Sequence, residues 1–304
     1  MALKTEQIVK LLQLKGIVNK TALMICELTR NETIDNDSDF LEFILHLKAN
    51  NKSQGFPSYS EAEINCAIEK GNKIIEESDK CDIKIISLYD KDYPSPFKLM
   101  PDKPVILNVQ GNIKTINDKT GIAVIGTREP TKEGVEVGEY LGEYFSKNGY
   151  NVVSGLAMGC DTAAHRGCLK ANGMTTAIVA HGLHMIYPKE NEQLAKDILQ
   201  KDGVLMSEYF VGQGADPGHF IERDRLQAGL ASATIVVQTD IEGSTMFTVK
   251  STLKYSKPLA AVVYKKNINS NEIRGNEMLI REGKAFPLTS KNLTEFIDLI
   301  PHKE

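Results

Sequence analysis

The feature that most constrains the fold of this chain is an apolar run that breaks into glycine and then into small, helix-compatible residues. Within residues 152–165, two valines precede Ser154 and Gly155, and small residues follow them. The pattern also occurs upstream, where residues 122–125 are apolar and Gly126 comes next. Each occurrence predicts a strand, a tight loop and the beginning of a helix.

The loops predicted at these two positions have the chemistry of an anion-binding site. Glycine lets the backbone approach a ligand closely, and the first N–H groups of a helix have no partner within the helix. Together they present hydrogen-bond donors and partial positive charge, for which phosphate is the natural ligand. In an open parallel sheet such loops lie at the carboxyl ends of the strands, so we expect one phosphate-binding edge shared between loops.

From Gly121 onward, short apolar segments alternate with segments of helical periodicity. This alternation is typical of an α/β fold with a doubly wound, mostly parallel sheet. The strands are predicted at 122–126, 150–154, 175–180, 203–206, 234–238 and 259–263, with helices between them.

The N-terminal part of the chain has a different pattern. Apolar residues recur at helical spacing over residues 5–80, which predicts a small all-helical domain, 1–82, of the SAM or helix-hairpin-helix type. Its glycine turn at 14–22 resembles one arm of a DNA-binding helix-hairpin-helix; a bundle that serves as a spacer or partner platform is the alternative. Residues 83–304 are predicted as the α/β domain, beginning with a proline-containing, extended linker at 83–120.

The charge of the chain limits the kind of partner it can have. With a net charge of −4 and a pI near 6.0, it is not suited to coat nucleic acid through a broad basic face. A local basic groove is compatible with this composition, and the cations that could form it are Arg128, Arg166, Arg223, Arg225 and Lys250. No segment resembles a signal peptide and no run of about 18 apolar residues occurs, so we expect a cytoplasmic protein without membrane spans.

Candidate residues for binding phosphate lie in the glycine-led loop at 126–128 and in a further one at 243–245. Gly126, Thr127 and Arg128 would offer backbone donors, a hydroxyl and a guanidinium. The alternative is a plain strand-to-helix turn with Arg128 in solvent. A third glycine-led helix start, whose hydroxyls could bind phosphate oxygens, follows the apolar segment 233–237 and consists of Gly243, Ser244 and Thr245.

Phe220 lies in a segment with two arginines. An aromatic ring beside Arg223 and Arg225 matches what single-stranded nucleic acid requires, which is a stacking surface together with cations for the backbone. Burial of Phe220 in the core is the alternative.

The sequence does not favour a catalytic, metal or cofactor site. Asp161 and His165 are four residues apart on one helix face and could support acid–base chemistry, but an aspartate in the first turn also stabilises the helix dipole. His181 and His184 have no acidic or cysteine companion nearby, and the five cysteines form no C-x-x-C pair. The glycines at 212–214 do not continue into a dinucleotide-binding fingerprint. We therefore predict no catalytic residue, no metal and no cofactor.

Several motifs, in order, resemble the DprA/Smf family. They are Tyr93 with Pro94, residues 104–111, the G-[ST]-R motif at 126–128, the block 152–165, Gly182 with Leu183, residues 187–191, 207–209 and 220–225, and Gly243 with Ser244. The resemblance implies a Rossmann-like domain preceded by a helical domain, usually in a homodimer. It also implies a non-enzymatic protein that binds single-stranded DNA and loads the RecA recombinase during DNA processing and natural transformation. The DNA-binding residues that it implies are Gly126, Thr127, Arg128, Ser154, Gly155, Phe220, Arg223, Arg225, Gly243, Ser244 and Thr245.

The chain also departs from the family pattern. The usual F-P-x-R-N-R is here Phe220 to Arg225 with Glu222 and Asp224, which adds two carboxylates where an anion is expected to bind. Glu242 replaces a common serine, and the C-terminal winged helix of many relatives has no counterpart before the sequence ends. These departures are typical of a diverged member and leave open a role in phage defence or a mobile element.

Two alternative functions use the same loop architecture. One is a nucleotide phosphoribohydrolase of the LOG-like fold group, whose motif P-G-G-x-G-T-x-x-E needs a catalytic glutamate where Phe247 stands. The other is a nucleotide-sensing regulator of a protein partner.

Overall fold

The computed structural model describes residues 3–29, 34–50, 55–265 and 270–301. The chain divides into two compact units. The first consists of Met1–Tyr93 with Pro101–Asn108, and the second of Pro94–Met100 with Val109–Glu304. None of the described helices combines the length and the hydropathy that a membrane span requires.

The first unit is mainly helical, as predicted from the spacing of its apolar residues. Ile8 and Ile64 are among its fully buried side chains, and Ser60 begins the longest helix in a reciprocal capping box with Glu63. Its elements are helices α1 (Thr5–Leu11), α2 (Asn19–Leu28), α3 (Asp37–Asn50) and α4 (Glu61–Lys80), strand β1 (Lys84–Ser87) and the first half of β2 (Ile106–Gly111).

The segment predicted as an extended linker, 83–120, contains regular structure. Besides β1 and β2 it holds two short helices, α5 (Ser95–Lys98) and α6 (Lys114–Asp118). Prolines are accommodated because Pro94 and Pro96 lie at the beginning of α5, where the missing N–H has no helical partner to lose.

The second unit is built on a parallel sheet, which confirms the predicted doubly wound, Rossmann-like α/β fold. Its strands follow the order β6-β5-β4-β3-β7-β8-β9, and every pair within this order is parallel. They are β3 (Gly121–Ile125), β4 (Asn151–Ser154), β5 (Thr175–Ile178), β6 (Val204–Ser207), β7 (Ala233–Val236), β8 (Leu259–Val262) and β9 (Phe286–Leu288).

All residues of β3 to β8 are buried, because helices cover both faces of the sheet. The helices are α7 (Lys132–Lys147), α8 (Cys160–Lys170), α9 (Glu192–Gln200), α10 (Pro217–Leu230), α11 (Thr245–Lys254), α12 (Arg274–Arg281) and α13 (Leu293–Ile297). Each of the six predicted strands is present, with its ends shifted by at most two residues. The sequence did not predict β9, which has only three residues and contains Pro287.

The position of β3 determines where a ligand can bind. The chain proceeds from β3 through β4, β5 and β6 on one side, and then through β7, β8 and β9 on the other. The loops after β3 and β7 therefore diverge at a topological switch point, which is the usual ligand-binding crevice of an open parallel sheet.

Candidate functional site

The loops that follow β3, β4 and β7 contact one another at this switch point. The N–H of Thr127 donates to the carbonyl of Gln238 at 2.8 Å, and the N–H of Cys160 donates to the carbonyl of Thr127 at 3.1 Å. Gly126 has to be a glycine here, because a Cβ would lie 2.8 Å from the Gln238 carbonyl oxygen. The loops after β3 and β4, in one half of the sheet, thus form one cluster with the loop after β7, in the other half.

A cavity of about 490 Å³ opens beside these loops. This volume is within the range of small-ligand sites, roughly 300–1,000 Å³. The residues predicted from the sequence that line it are Gly126, Arg128, Phe220, Arg223, Ser244 and Thr245. Among the further lining residues are Asp161, Tyr187, Asp224, Gln227, Phe247 and Thr248.

The exposed side of the cavity combines a cation with aromatic rings. The guanidinium carbon of Arg128 lies 4.8 Å from the ring centroid of Phe220. The ring of Tyr187 is tilted by 55° at 5.9 Å from the same ring. Arg128 and Tyr187 are exposed and Phe220 is half-buried, so part of this aromatic surface is accessible to solvent. Cation–π contact holds the arginine over this face.

Arg223 has a different environment, since its side chain is only 4% exposed. Its Nε donates to Asp224 Oδ1 at 3.1 Å, and its Nη1 donates to the carbonyl of Gly155 at 2.9 Å and to that of Ile178. The guanidinium therefore ties α10 to the ends of β4 and β5. A side chain at Gly155 would collide with it, because an added Cβ would contact Arg223 Nη1 and lie 2.7 Å from Asp161 Oδ2.

Two buried carboxyls face the same arginine. Asp161 Oδ2 accepts from the N–H groups of Gly155 and Ala157 at 3.1 and 3.4 Å, and burial raises the pKa of Asp161 although the Arg223 charge opposes the shift. Burial raises the pKa of Asp224 to about 6; the charge of Asp161 adds to this effect and that of Arg223 opposes it.

The two additional carboxylates noted in the sequence have different positions. Asp224 lines the cavity. Glu222 is exposed, is absent from the cavity lining, and accepts a hydrogen bond from the hydroxyl of Tyr209 at 3.0 Å. Of these two additional carboxylates, only Asp224 would face a ligand in this cavity.

Helical geometry separates the predicted residues of α10. Positions 220, 223, 224 and 227 share one face and line the cavity. Arg225 lies outside the lining, and both oxygens of Glu208 accept from its Nη2 at 2.7 Å. The sequence proposed both arginines for one site, but the structure brings only Arg223 to the cavity.

Four other predicted residues also lie outside the cavity lining. Ser154 is buried and donates from Oγ to the carbonyl of Val124 at 2.8 Å, which joins the ends of β3 and β4. Gly155 holds Arg223 and Asp161, as described above. Thr127 contributes backbone contacts between loops, and Gly243 packs against Thr239 just before the lining residue Ser244.

Sequence reasoning missed the residue that holds the loop after β7. The buried Asn276 accepts from the N–H of Thr239 at 2.9 Å and donates to the carbonyls of Val236, Val237 and Val262. Arg274, two residues earlier, pairs through Nε and Nη2 with Asp240 at 3.1 and 3.0 Å. The only sequence signal is the intervening Gly275.

The histidines singled out in the sequence are engaged internally. His165 Nδ1 lies 2.7 Å from Thr175 Oγ1, and burial lowers the pKa of His165 to about 3. His181 Nε2 accepts from the N–H of Tyr187 at 3.2 Å, and His184 Nδ1 accepts from that of Gly212 at 3.3 Å. Within the described part of the chain, no group of three or more histidine, cysteine, aspartate or glutamate side chains could hold a metal ion.

Comparison with known proteins shows which proteins this chain is similar to. A curated relative, protein Smf of Synechocystis sp., is 30% identical over 232 residues, which are 75% of this chain and 58% of the relative. The chain spans about three fifths of the length of the curated relatives it matches.

Solved structures of two DNA processing proteins are among those that resemble the chain. That of DNA processing protein A from Streptococcus pneumoniae has a TM-score of 0.82, 26% identity and coverage of 100% of both chains. That of DNA processing protein A from Helicobacter pylori, described for its single-stranded DNA binding mode, has a TM-score of 0.62 and 29% identity and covers 71% of this chain and 94% of that one. The family model of DNA recombination-mediator protein A matches residues 84–298. The chain therefore belongs to the DNA recombination-mediator protein A family, DprA/Smf.

Proposed function

We propose that this chain binds single-stranded DNA in the cavity at the switch point of its parallel sheet. The observation that carries the proposal is the position of Arg128 at 4.8 Å over the ring of Phe220, beside Tyr187. A base can stack on such aromatic rings while a neighbouring guanidinium binds the backbone phosphate. The relative from Helicobacter pylori, whose structure is described for its single-stranded DNA binding mode, supports the same ligand class.

The residues predicted from the sequence then divide by role. Arg128, Phe220, Ser244 and Thr245 would contact the strand, with the backbone of Gly126, because all of them line the cavity. Ser154, Gly155 and Arg223 would position these contacts through their hydrogen bonds at the ends of β4 and β5. Thr127 and Gly243 would shape the loops, and Arg225 would act through its ion pair with Glu208.

The proposed activity is binding and not catalysis. Phe247 lines the cavity at the position where a phosphoribohydrolase would need a glutamate, and it can neither donate nor accept a proton. Asp161 accepts two backbone hydrogen bonds and contacts the Arg223 network, which supports a structural role.

The wider biological role is also a proposal. The family description as a recombination mediator supports transfer of the bound strand to a RecA recombinase, and we propose that the chain does this as a homodimer. The division into a helical domain, 1–82, and an α/β domain, 83–304, remains our prediction for how the full chain is organised. A RecA assembly assay on protein-coated single strands tests the proposed transfer to RecA. Light scattering of the purified chain tests the proposed homodimer.

Fluorescence polarisation with labelled oligo-dT tests the binding site. We expect Arg128→Ala to weaken binding roughly tenfold or more, since a charge-assisted hydrogen bond to phosphate contributes about 1.5–3 kcal/mol. Lys196→Ala is the matched control, because it also removes one exposed positive charge from the second unit but lies outside the cavity lining.

The control variant should bind within about twofold of the unmodified chain, as expected for a solvated surface charge. Absence of binding at low salt would contradict the proposal, and so would equal affinity of the Arg128→Ala variant and the unmodified chain.

A further inference from the structure

The cavity has two chemically different sides. Its exposed side carries Arg128 and the hydroxyl of Ser244 at the beginning of α11. Its inner wall is defined here as four polar lining residues, Asp161, Asp224, Gln227 and Thr248, each of which is at most 7% exposed. A nucleotide that enters this cavity would therefore contact the cation Arg128 first and the hydrogen-bond acceptors of the inner wall further in.

The inner wall is not suited to hold a phosphate. Two carboxyls, Asp161 and Asp224, face the guanidinium of Arg223, which already donates to Asp224 and to two backbone carbonyls, and the charge of Arg128 also acts on Asp224. A second anion placed there would be repelled, whereas a group with N–H donors would be attracted. A bound strand would therefore place its phosphate at Arg128 and its base toward the inner wall.

Acceptor capacity on the inner wall is concentrated at Asp224. Asp161 Oδ2 already accepts from two backbone N–H groups, and Gln227 Oε1 accepts from the hydroxyl of Thr248 at 3.3 Å. Asp224 Oδ1 accepts from Arg223 Nε, but a carboxylate has about four acceptor positions on its two oxygens. With a pKa of about 6, Asp224 is mostly ionised at neutral pH.

We infer that Asp224 selects guanine as the base that enters the cavity, an inference that rests on the proposed binding of single-stranded DNA. The Watson–Crick edge of guanine places two adjacent donors, N1–H and N2–H, opposite the two oxygens of a carboxylate. Adenine and cytosine present one amine beside a ring-nitrogen acceptor, and thymine presents one N–H between two carbonyl oxygens. An ionised carboxylate therefore pairs fully with guanine and is partly repelled by the other three bases.

Competition binding of oligonucleotides to the full chain tests this inference. The reference competitor is oligo-dT, and the others carry isolated guanosines, inosines, cytidines or adenosines separated by thymidines, a spacing that avoids guanine quadruplexes. We expect guanosine to tighten binding at least about fivefold relative to oligo-dT, because a bidentate base contact discriminates by roughly 1–3 kcal/mol. Inosine keeps N1–H but lacks the N2 amine, so it should fall between the two.

Variants assign the preference to one side chain. Asp224→Asn keeps an acceptor for Arg223 but replaces one oxygen with a donor amide, so the ratio of guanosine to thymidine affinity should fall to near one. Glu222→Gln, on the same helix but outside the cavity lining, is the matched control and should keep the ratio of the unmodified chain.

The possible results distinguish failure of the guanine inference from failure of the proposed function. If oligo-dT binds and guanosine brings less than about a twofold gain, or if Asp224→Asn keeps the ratio, the inference is overturned and the proposed function stands. If no oligonucleotide binds at low salt, both are overturned. The comparison of guanosine with inosine uses the unmodified chain, so it decides the question even if the variant does not fold.

Discussion

At the scale of single residues, burial decides the role of a charged side chain. Arg128 and Arg223 both lie at the cavity, yet the first is exposed over an aromatic ring and the second is 4% exposed within a hydrogen-bond network. The exposed guanidinium can take a phosphate, whereas the buried one is required to balance Asp161 and Asp224. Removing Arg223 would leave uncompensated buried carboxyls, which is costly.

The ionisation of Asp224 should lower stability at neutral pH. Its pKa in the folded chain, about 6, is above the ordinary value of 3.8. A carboxyl with a raised folded pKa binds protons more tightly in the folded chain, so the free energy of unfolding rises as the pH falls from above 6 toward 4. At about pH 8, Asp224→Asn should therefore melt roughly 2 °C or more above the unmodified chain, since Arg223 then balances one buried carboxyl.

Thermal melts followed by circular dichroism at about pH 8, 6.5 and 5 measure this effect. The difference between Asp224→Asn and the unmodified chain should shrink as the pH falls, because protonation neutralises Asp224 without mutation. Glu222→Gln, an exposed change on the same helix, should show a difference that stays small at every pH. A variant that melts below the unmodified chain at pH 8 would contradict the argument.

At the scale of elements, the site depends on how helices begin beside the sheet. Helix α10 presents positions 220, 223, 224 and 227 on one face, and α11 begins at Thr245 against the same cavity. The ammonium of Lys257 donates to the carbonyls of Ala228, Gly229 and Ala231 at 2.7–2.9 Å, which fixes the C-terminal end of α10. Residues spaced along one face of α10 thus line the cavity, and the contacts of Lys257 fix where that helix ends.

The loop between β7 and α11 should depend on Asn276. Replacing it with alanine leaves the buried N–H of Thr239 and three strand-end carbonyls without this partner. We expect Asn276→Ala to lower the free energy of unfolding by about 2–4 kcal/mol, because unsatisfied buried polar groups cost about 1–3 kcal/mol each. Urea unfolding followed by circular dichroism measures the loss.

Asn148→Ala is the control for this change. Its carboxamide is exposed and donates to the carbonyl of Tyr144, so the loss should stay within about 0.5 kcal/mol. Equal losses for the two variants would show that Asn276 has no special role in holding the loop.

At the scale of the whole molecule, the distribution of charge favours a local binding site over a broad one. The chain has 36 basic and 40 acidic side chains and a net charge of −4, yet an exposed arginine lies at the cavity. Lys250 adds a second cation nearby, with Nζ 5.4 Å from the ring centroid of the lining residue Phe247. The proposed binding of a strand would therefore neutralise few phosphates.

The salt dependence of binding should be shallow as a result. For single strands the logarithm of the binding constant falls with the logarithm of salt concentration by about 0.7 for each neutralised phosphate. With Arg128 at the cavity and Lys250 nearby as the exposed cations, we expect a slope of roughly −1 to −3. Polarisation titrations with oligo-dT over a salt series measure it, and a slope steeper than about −5 would indicate a broad basic surface instead.

Much of the architecture could be predicted because it depends on local patterns. Buried parallel strands are continuous apolar runs, so six strands of the second unit were found within one or two residues of their ends. The glycine loops at 126 and 155 were visible because close backbone approach excludes side chains. The strand β9 was missed, since three residues around Pro287 give no periodic signal.

The sequence alone determined the fold class, the family and the loops that can approach a phosphate, because each depends on residues close together in the chain. Tertiary structure alone decided which side chains share the cavity. It brought Tyr187 to Phe220, turned Arg225 toward Glu208, and buried Arg223 against Gly155. These outcomes depend on packing between distant segments, and burial, which sets the charge and the hydrogen-bond partners of a residue, is not encoded in local spacing.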